Sequence, residues 1–354
     1  MKKKIFVLGG TIILSLSLAG CFQGEQSMDE MDPPRENAEP VNNLEEIPSD
    51  KTEENKEAEE SSTATVEREL YLLDKNGMVA AQTLQLPETD QVASQVLEYL
   101  IKDGPVTELL PNGFQAVLPA GTEILGMNLL EDGTLIVDLS EEFKDYQPEE
   151  EVQILEAMTF TLTQFENVDR VQLWINGHHQ EAMPVAGTPI GKGYSREMGI
   201  NVMASNTPDL LTSELVTMYY PQEQNENRYY VPVTQYIEEK DGNLYRGIIE
   251  TLLDGPGYSA NVKHVFNTNA QLLADTVLED GVLSVLFNEG ILKDSEKAVI
   301  SDDVMETIVR TLTEQEGIEA VDIKVESVEQ LVNEDGEVYE EPVSKQYFTP
   351  TEQL

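Results

Sequence analysis

Two stretches of the chain carry apolar residues at the spacing of one face of an α-helix. In each stretch a Gly-Pro pair follows the last apolar residue, and such a pair ends a helix because proline cannot continue it. Both stretches therefore predict an amphipathic helix whose apolar face packs on a core. The positions are Val92, Val96, Leu97, Leu100 and Ile101 before Gly104-Pro105, and Leu244, Ile248, Ile249, Leu252 and Leu253 before Gly255-Pro256.

The likeness between the two stretches continues along the chain. The segments LEYLIKDGP, LLEDGTLIVDLSEEF and TLTQFENVDRVQLWI are matched in the same order by IETLLDGPG, VLEDGVLSVLFNEGI and TLTEQEGIEAVDIKV, each about 150 residues later. Three ordered matches at a nearly constant distance indicate two tandem copies of one domain. A chain of 354 residues is long enough for both copies to bury a core.

The pattern within a copy predicts the order strand, helix, strand, strand, helix, strand. Alternating residues around Asn76-Gly77 predict an opening hairpin, and the repeated LEDG, Leu130 to Gly133 and Leu278 to Gly281, predicts a second tight turn. A longer helix, begun by Ser301 in the second copy, and an alternating strand complete each domain. This order predicts an α+β fold with two helices packed on one mixed sheet. The apolar positions of the longer helices are Val152, Leu155, Met158, Leu162 and Phe165, and Val304, Ile308 and Leu312; those of the last strands are Val171, Leu173 and Ile175, and Val321, Ile323 and Val325.

The N-terminus indicates export and lipidation. Three lysines precede an apolar run that is too short and too interrupted by glycine and serine to predict a membrane-spanning helix. Leu18, Ala19, Gly20 and Cys21 follow, and they resemble the lipobox of bacterial lipoproteins, in which the cysteine is lipidated and becomes the new N-terminus. Cys21 is the single cysteine of the chain. The alternative is a plain secretory signal or an uncleaved anchor with an incidental cysteine.

The residues after Cys21 predict a disordered acidic tether. They are rich in Glu, Asp, Pro, Ser and Asn and bury too little apolar surface to offset their conformational entropy. A tether of this length reaches roughly 40 Å. The predicted boundaries are a signal peptide over 1–20, lipidated cysteine and linker over 21–66, a first domain over 67–190, an inter-domain linker over 191–212 and a second domain over 213–348.

The charge of the chain excludes nucleic acid as a partner. The formal net charge is -45, from 22 Lys and Arg against 67 Asp and Glu, whereas phosphate binding requires clustered cations. Acyl chains on Cys21 would hold such a protein at a membrane because each buried CH₂ contributes about 0.8 kcal/mol. The predicted location is therefore the extracytoplasmic face of the cell membrane, reached through a lipid anchor.

No catalytic site, metal site or cofactor is predicted. His178 and His179 are neighbours on an extended segment and point apart, which suits a shared metal poorly. Asp74, Asn76 and Gly77 resemble only a fragment of a calcium loop. Acid pairs such as Glu131-Asp132 and Glu279-Asp280 fall at predicted turns, and GTPIGKGYS (187–195) lacks the spacing of a phosphate-binding loop.

Tyrosines cluster at the start of the second copy. They offer large contact area at low entropic cost, so they are candidates for binding a protein partner or stacking on sugar rings. The alternative is a hairpin with aromatic cross-strand pairs. The candidates are Tyr219, Tyr220, Tyr229, Tyr230 and Tyr236.

The lipobox, the acidic linker with Asp32-Pro33-Pro34, and two copies with Gly-Pro after the first helix and LEDG in the hairpin resemble the GerM family of sporulation and spore-germination lipoproteins, which carry two GerMN domains. The resemblance covers nearly the whole chain. It implies a fold similar to the ring-building modules of secretion systems. It also implies a non-enzymatic role, at the mother-cell membrane, in assembling the transenvelope channel of SpoIIIA-type and SpoIIQ-type proteins.

Two other functions stay open at this point. Export and the tyrosines also suit a protein that binds or hydrolyses cortex peptidoglycan. A solute-binding lipoprotein of a transporter is disfavoured by the duplication, and it would require a deep polar pocket between the lobes.

Overall fold

The computed structural model describes residues 64–203, 212–224, 227–256 and 262–348. The lipobox residues Leu18, Ala19, Gly20 and Cys21, nearly all of the predicted tether and part of the predicted inter-domain linker lie outside the described residues.

The first domain contains a hairpin and a separate mixed sheet. Strands β1 (Thr65–Leu73) and β2 (Val79–Pro87) form the antiparallel hairpin. Helix α1 (Val92–Glu98) precedes β3 (Ile124–Leu129) and β4 (Thr134–Leu139), and helix α2 (Glu151–Leu162) precedes β5 (Arg170–Ile175). Strand β4 pairs with β3 in antiparallel and with β5 in parallel orientation. The short strands β6 (His178–His179) and β7 (Tyr194–Ser195) both pair with β5.

The second domain repeats this arrangement. Strands β8 (Ser213–Gln224) and β9 (Asn227–Glu238) form its hairpin, and helix α3 covers Leu244–Asp254. Strands β10 (Val277–Glu279) and β11 (Val282–Phe287) are followed by α4 (Asp302–Thr313), β12 (Ala320–Val325) and β13 (Val343–Ser344). The sheet order is β10-β11-β12-β13, with β11 and β12 parallel. The predicted α+β class and the duplication are confirmed.

Each long helix packs beside the hairpin of its own domain through an equivalent contact. The backbone N–H of Tyr71 in β1 donates to Thr161 Oγ1 of α2 at 2.9 Å, and that of Tyr219 in β8 donates to Thr311 Oγ1 of α4 at 3.0 Å. These threonines therefore satisfy backbone donors that the hairpins leave unpaired. Nearly every residue of α2 is buried, although Val152, an expected core position, is exposed.

The first helix of copy one is shorter than its apolar pattern predicts. It ends at Glu98, because the backbone of Leu100 accepts hydrogen bonds from Val117 and Leu118 and therefore belongs to a different pairing. In copy two the helix continues to Asp254 and ends at Gly255, whose φ of 90° and ψ of 173° lie in a region that only glycine adopts readily.

The hairpins of the two domains contact each other through equivalent strands. Asn227 Nδ2 at the start of β9 donates to Gln82 Oε1 in β2 at 2.7 Å. The side-chain amide of Asn201 joins Val79, at the start of β2, to Pro232, near the middle of β9. Strands β2 and β9 therefore pass each other in opposite directions.

The chain crosses between the domains later than predicted. Residues 191–195 were expected to be linker, but Tyr194 and Ser195 form β7 and pair with Val171 and Arg170 of β5. Strand β7 therefore completes the first sheet, and the crossing begins at Arg196. Gly199 lies in this crossing with a φ of 84°, and a Cβ there would lie 2.8 Å from Thr234 Cγ2.

Candidate functional site at the domain interface

Arg196 is the centre of the interface because it binds both domains. Within the first domain its Nε donates to Thr163 Oγ1 at 2.9 Å, one terminal nitrogen donates to the carbonyl of Phe160 at 3.1 Å, and its guanidinium lies 4.6 Å from the centroid of the Phe160 ring. Its other terminal nitrogen forms an ion pair of 3.0 Å with Glu314, just after α4. A planar guanidinium suits this site since it stacks and donates at once.

Glu314 accepts from three sides. Besides Arg196, it accepts from the Tyr219 hydroxyl at 3.1 Å and from Lys345 Nζ at 3.3 Å. Burial alone would raise its pKa, but the charges of Lys345 and Arg196 and their hydrogen bonds outweigh burial and lower the pKa of Glu314 to about 2. The carboxylate therefore stays ionised at neutral pH and holds the end of α4 against the first domain.

Asn201 forms a second link between the domains. Its Oδ1 accepts from the Val79 N–H at 2.9 Å, while its Nδ2 donates to the carbonyls of Val79 and Pro232, both at 2.7 Å. The amide thus acts as one extra peptide group between the two hairpins. Asn201 has a φ of 48°, a left-handed conformation that asparagine tolerates better than most residues.

Tyr229 forms a third link. Its hydroxyl donates to Asp74 Oδ2 of the first domain at 3.0 Å, and its ring makes an edge contact with Phe114, with the centroids 4.8 Å apart. Asp74 also accepts from the backbone N–H groups of Asn76 and Met78 in the β1–β2 turn. The Asp74 carboxylate, which the sequence analysis compared with part of a calcium loop, therefore accepts hydrogen bonds from its own turn and from Tyr229.

A groove of about 400 Å³ opens between the two hairpins and α4. The Tyr230 ring lies in its wall between two guanidinium groups, 5.7 Å from that of Arg228 and 5.1 Å from that of Arg310. Glu306 forms ion pairs with both arginines, at 3.5 Å and 2.7 Å. Arg228 also pairs with Asp303 at 2.8 Å, so carboxylates of the second domain offset both charges. Residues of both domains line the groove.

The tyrosine cluster is mostly internal. Tyr219, Tyr220, Tyr229 and Tyr230 are each 7 % exposed or less, while Tyr236 is 37 % exposed. The first four therefore build the interface and core, and they do not form an exposed partner-binding surface as expected. The hairpin interpretation is correct, although its aromatic cross-strand pairs are absent from the described register: Tyr219 faces Pro232, Tyr220 faces Val231, and Tyr229 faces Gln222.

The comparisons with known proteins decide the family. A family model described as Germane: Sporulation and spore germination matches residues 69–181 and 217–330. The chain belongs to this family. The two matched ranges correspond to the two copies, and the family resemblance seen in the sequence is confirmed.

Two further comparisons, with a curated protein and with a solved structure, agree with the family assignment. The curated spore germination protein GerM of Bacillus subtilis (strain 168) is 42% identical over 357 residues, which cover 98% of this chain and 97% of that protein. The solved tandem GerMN domains of the sporulation protein GerM from Bacillus subtilis share 45% identity with a TM-score of 0.73, over 79% of this chain and 96% of that one. The fold described above is therefore that of tandem GerMN domains.

The other candidate residues of this Germane chain lie apart from the interface. His178 and His179 are exposed on β6, and the acid pairs Glu131-Asp132 and Glu279-Asp280 are exposed at their turns. Within the described ranges, no group of three or more His, Cys, Asp or Glu is placed to hold a metal ion. In the same part of the chain, no helix is both long enough and apolar enough to cross a bilayer.

Two buried acids of the first GerMN domain were missed from the sequence. Glu151 is fully buried and accepts from the Tyr146 hydroxyl at 2.8 Å and from the backbone N–H groups of Val185, Ala186 and Thr188. Glu156 is 2 % exposed, and burial raises its pKa to about 7 against a weaker opposing hydrogen bond from the Asn201 backbone. Glu151 ends an acidic run at the start of α2 and Glu156 lies among apolar residues of the same helix, so apolar periodicity gave no indication that either is buried.

Proposed function

We propose that this Germane protein is a lipid-anchored, non-enzymatic assembly factor of endospore formation and germination. The Arg196–Glu314 interface carries this proposal, because it joins the two GerMN-like domains through largely buried, hydrogen-bonded charges. A pair of domains fixed in this way presents docking surfaces in one defined geometry. Such a module suits assembly, in which several partners must be held in register.

Cys21 supplies the anchor in this proposal. Lipidation there would fix the end of the acidic tether to the extracytoplasmic face of the cell membrane and let the domains act roughly 40 Å away from it. The family resemblance supports a place beside the SpoIIIA-type and SpoIIQ-type channel between mother cell and forespore. The protein would support assembly of that secretion complex and take no part in chemistry.

Peptidoglycan binding or hydrolysis was the alternative, and it rested on the tyrosines as sugar-stacking rings. Four of these five rings are buried between elements of the chain itself. Because a buried ring cannot stack on a sugar, Tyr236 is the one candidate among these five tyrosines that still supports this alternative.

The test is co-purification from sporulating cells. The full chain should bring down the channel proteins, and the Cys21→Ala variant should be released from the membrane fraction and bring down less. Incubation of the same protein with purified peptidoglycan should leave it unbound and release no muropeptides. Release of muropeptides, or a lack of any channel protein in the purified sample, would contradict the proposal.

A further inference from the structure

One of the edge strands of each mixed sheet, β3 in the first domain and β10 in the second, carries or adjoins exposed aliphatic residues. Strands β3 and β10 are each paired on one side within the described sheets, with β4 and β11. Three large aliphatic side chains on or beside each strand are between 39 % and 50 % exposed. We call these the edge triplets: Leu125, Leu129 and Leu130 in the first domain, and Leu273, Val277 and Leu278 in the second.

The edge triplets occupy the same positions in both copies. Each residue of the first is matched by an aliphatic residue 148 positions later in the second, although Met127 and Asn128 between them are replaced by Asp275 and Thr276. Single exposed apolar residues are common on protein surfaces. The set is kept in two copies that have diverged at Met127, which is replaced by Asp275, and this indicates a shared use of the edge.

The geometry of the triplets favours an occupant that lies along the edge. Val277 and Leu278 are consecutive in β10, so their side chains point to opposite faces of the sheet. An element packed on one face would cover only one of them, whereas an added strand reaches both and pairs with the free backbone groups of the edge. In β3 the register shifts between Ile124 and Gly126, and this bulge leaves Leu125 without a cross-strand partner and turns it outward.

The charge around the edges defines the occupant. Exposed acids adjoin both triplets: Glu123, Glu131 and Asp132 in the first domain, and Asp275, Glu279 and Asp280 in the second. The sequence contains no Lys or Arg from Asp103 to Phe143 or from His264 to Leu292. Cations from other parts of the chain approach one acid at each edge: Arg246, which also pairs with Glu250, lies 2.8 Å from Asp275, and the pKa of Asp132 is lowered by hydrogen bonds from Thr134 and by the charge of Arg170. A second copy of this chain, with its net charge of -45, would be repelled. A basic partner would be attracted.

We infer that the outer edges of β3 and β10 each bind an extended, basic segment of another protein, whose aliphatic side chains cover the edge triplet. The inference rests on the proposed assembly function, because it identifies the surfaces through which the fixed pair of domains would hold its partners. Each chain would then offer two equivalent docking edges.

The test uses the full chain, solubilised in detergent, and a ten-residue peptide of alternating lysine and valine as the probe. Calorimetric titration should show two binding sites per chain. The salt concentration is about 0.15 M, because this salt screens charges that lie more than about 8 Å apart and so weakens general attraction to an acidic protein. The triple variant Leu125→Ser/Leu129→Ser/Leu130→Ser should retain one site, as should Leu273→Ser/Val277→Ser/Leu278→Ser. Combining all six changes should lower the affinity at least tenfold.

Matched controls separate this edge from general attraction to an acidic protein. Val338→Ser, at a position 40 % exposed elsewhere in the second domain, should keep both sites. A lysine–serine peptide and a lysine–valine peptide methylated on every backbone nitrogen should bind at least tenfold more weakly. If a triple variant loses its melting transition, the single changes Leu125→Ser and Leu273→Ser replace it.

Three outcomes overturn the inference. Failure of the wild-type chain to bind, equal binding of the control peptides, or unchanged stoichiometry in the triple variants would show that the edges are not docking sites. Co-purification with the channel proteins in spite of such a result would leave the assembly function standing. Loss of co-purification with intact peptide binding would reject the assembly function alone.

Discussion

Arg196 and Glu314 lie 118 residues apart and form a 3.0 Å ion pair that joins the two GerMN-like domains. The guanidinium is held from the first domain by Thr163 and Phe160, and the carboxylate is held from the second by Tyr219 and Lys345. Because each group also makes hydrogen bonds within its own domain, its side chain stays in place when the partner across the interface is removed.

Arg196→Ala should therefore lower the free energy of unfolding by about 3 kcal/mol, because it leaves a largely buried carboxylate without one of its two cationic partners. Denaturant unfolding measures this loss. Lys144→Ala is the control, since the Lys144–Glu141 pair is exposed and should contribute less than about 1 kcal/mol. A loss for Arg196→Ala no larger than that of the control would contradict the interface described here.

Acid should weaken the same interface. The pKa of Glu314 is lowered from 4.5 to about 2, so the folded protein gains stability that is fully present above pH 4.5. This stability, about 2 to 3 kcal/mol, is lost as the pH falls from 4.5 toward 2. Melting temperatures across this range should fall less steeply in Glu314→Gln than in the wild type, although Glu314→Gln starts from a lower value at pH 7. Parallel curves would show that Glu314 is not responsible.

Glu156 should have the opposite pH dependence. Burial raises its pKa from 4.5 to about 7, so the folded state retains a proton that the unfolded state has lost. Stability should therefore fall by about 2 to 3 kcal/mol as the pH rises from 4.5 through 7. Glu156→Gln removes this penalty, and its melting temperature should exceed that of the wild type more at pH 8 than at pH 5. An equal difference at both values would contradict the assignment.

The buried tyrosines should affect folding before they affect any partner. Tyr220 is fully buried, so Tyr220→Ala should lower the free energy of unfolding by about 3 to 5 kcal/mol through the cavity it creates. Tyr236→Ala, at a position 37 % exposed, should lower it by less than about 1 kcal/mol. Thermal unfolding compares the two variants directly. Similar losses for both would mean that Tyr220 is more accessible than described.

The repeat allowed most of the fold to be predicted, because each copy supports the interpretation of the other. The Gly133 φ of 77° and the Asp280 and Gly281 φ values of 48° and 79° confirm the LEDG turns, and Ser301 begins α4 by accepting from the Val304 N–H at 3.3 Å. Such features depend on local chemistry, in which a few residues fix the backbone.

The interface was not predictable in the same way, because its partners are distant in sequence. Arg196 follows a two-residue strand with no apolar pattern of its own, and its role depends on a glutamate more than a hundred residues later. The tyrosines were noticed, but composition alone does not distinguish a ring that binds a partner from one that packs on another domain of the same chain. The predicted end of α1 was too late in the sequence for a similar reason, since the Leu100 carbonyl accepts hydrogen bonds from the distant N–H groups of Val117 and Leu118.

The antiparallel passage of β2 and β9 limits how these chains can multiply. Two equivalent strands that pass each other in opposite directions form a self-complementary contact, and a contact of this kind is complete with two members. Because β2 and β9 belong to one chain, each covers the other when the chain folds, and neither is left to bind a second chain. A ring or filament of such chains must therefore grow through different surfaces, and its repeating unit is the fused pair of domains.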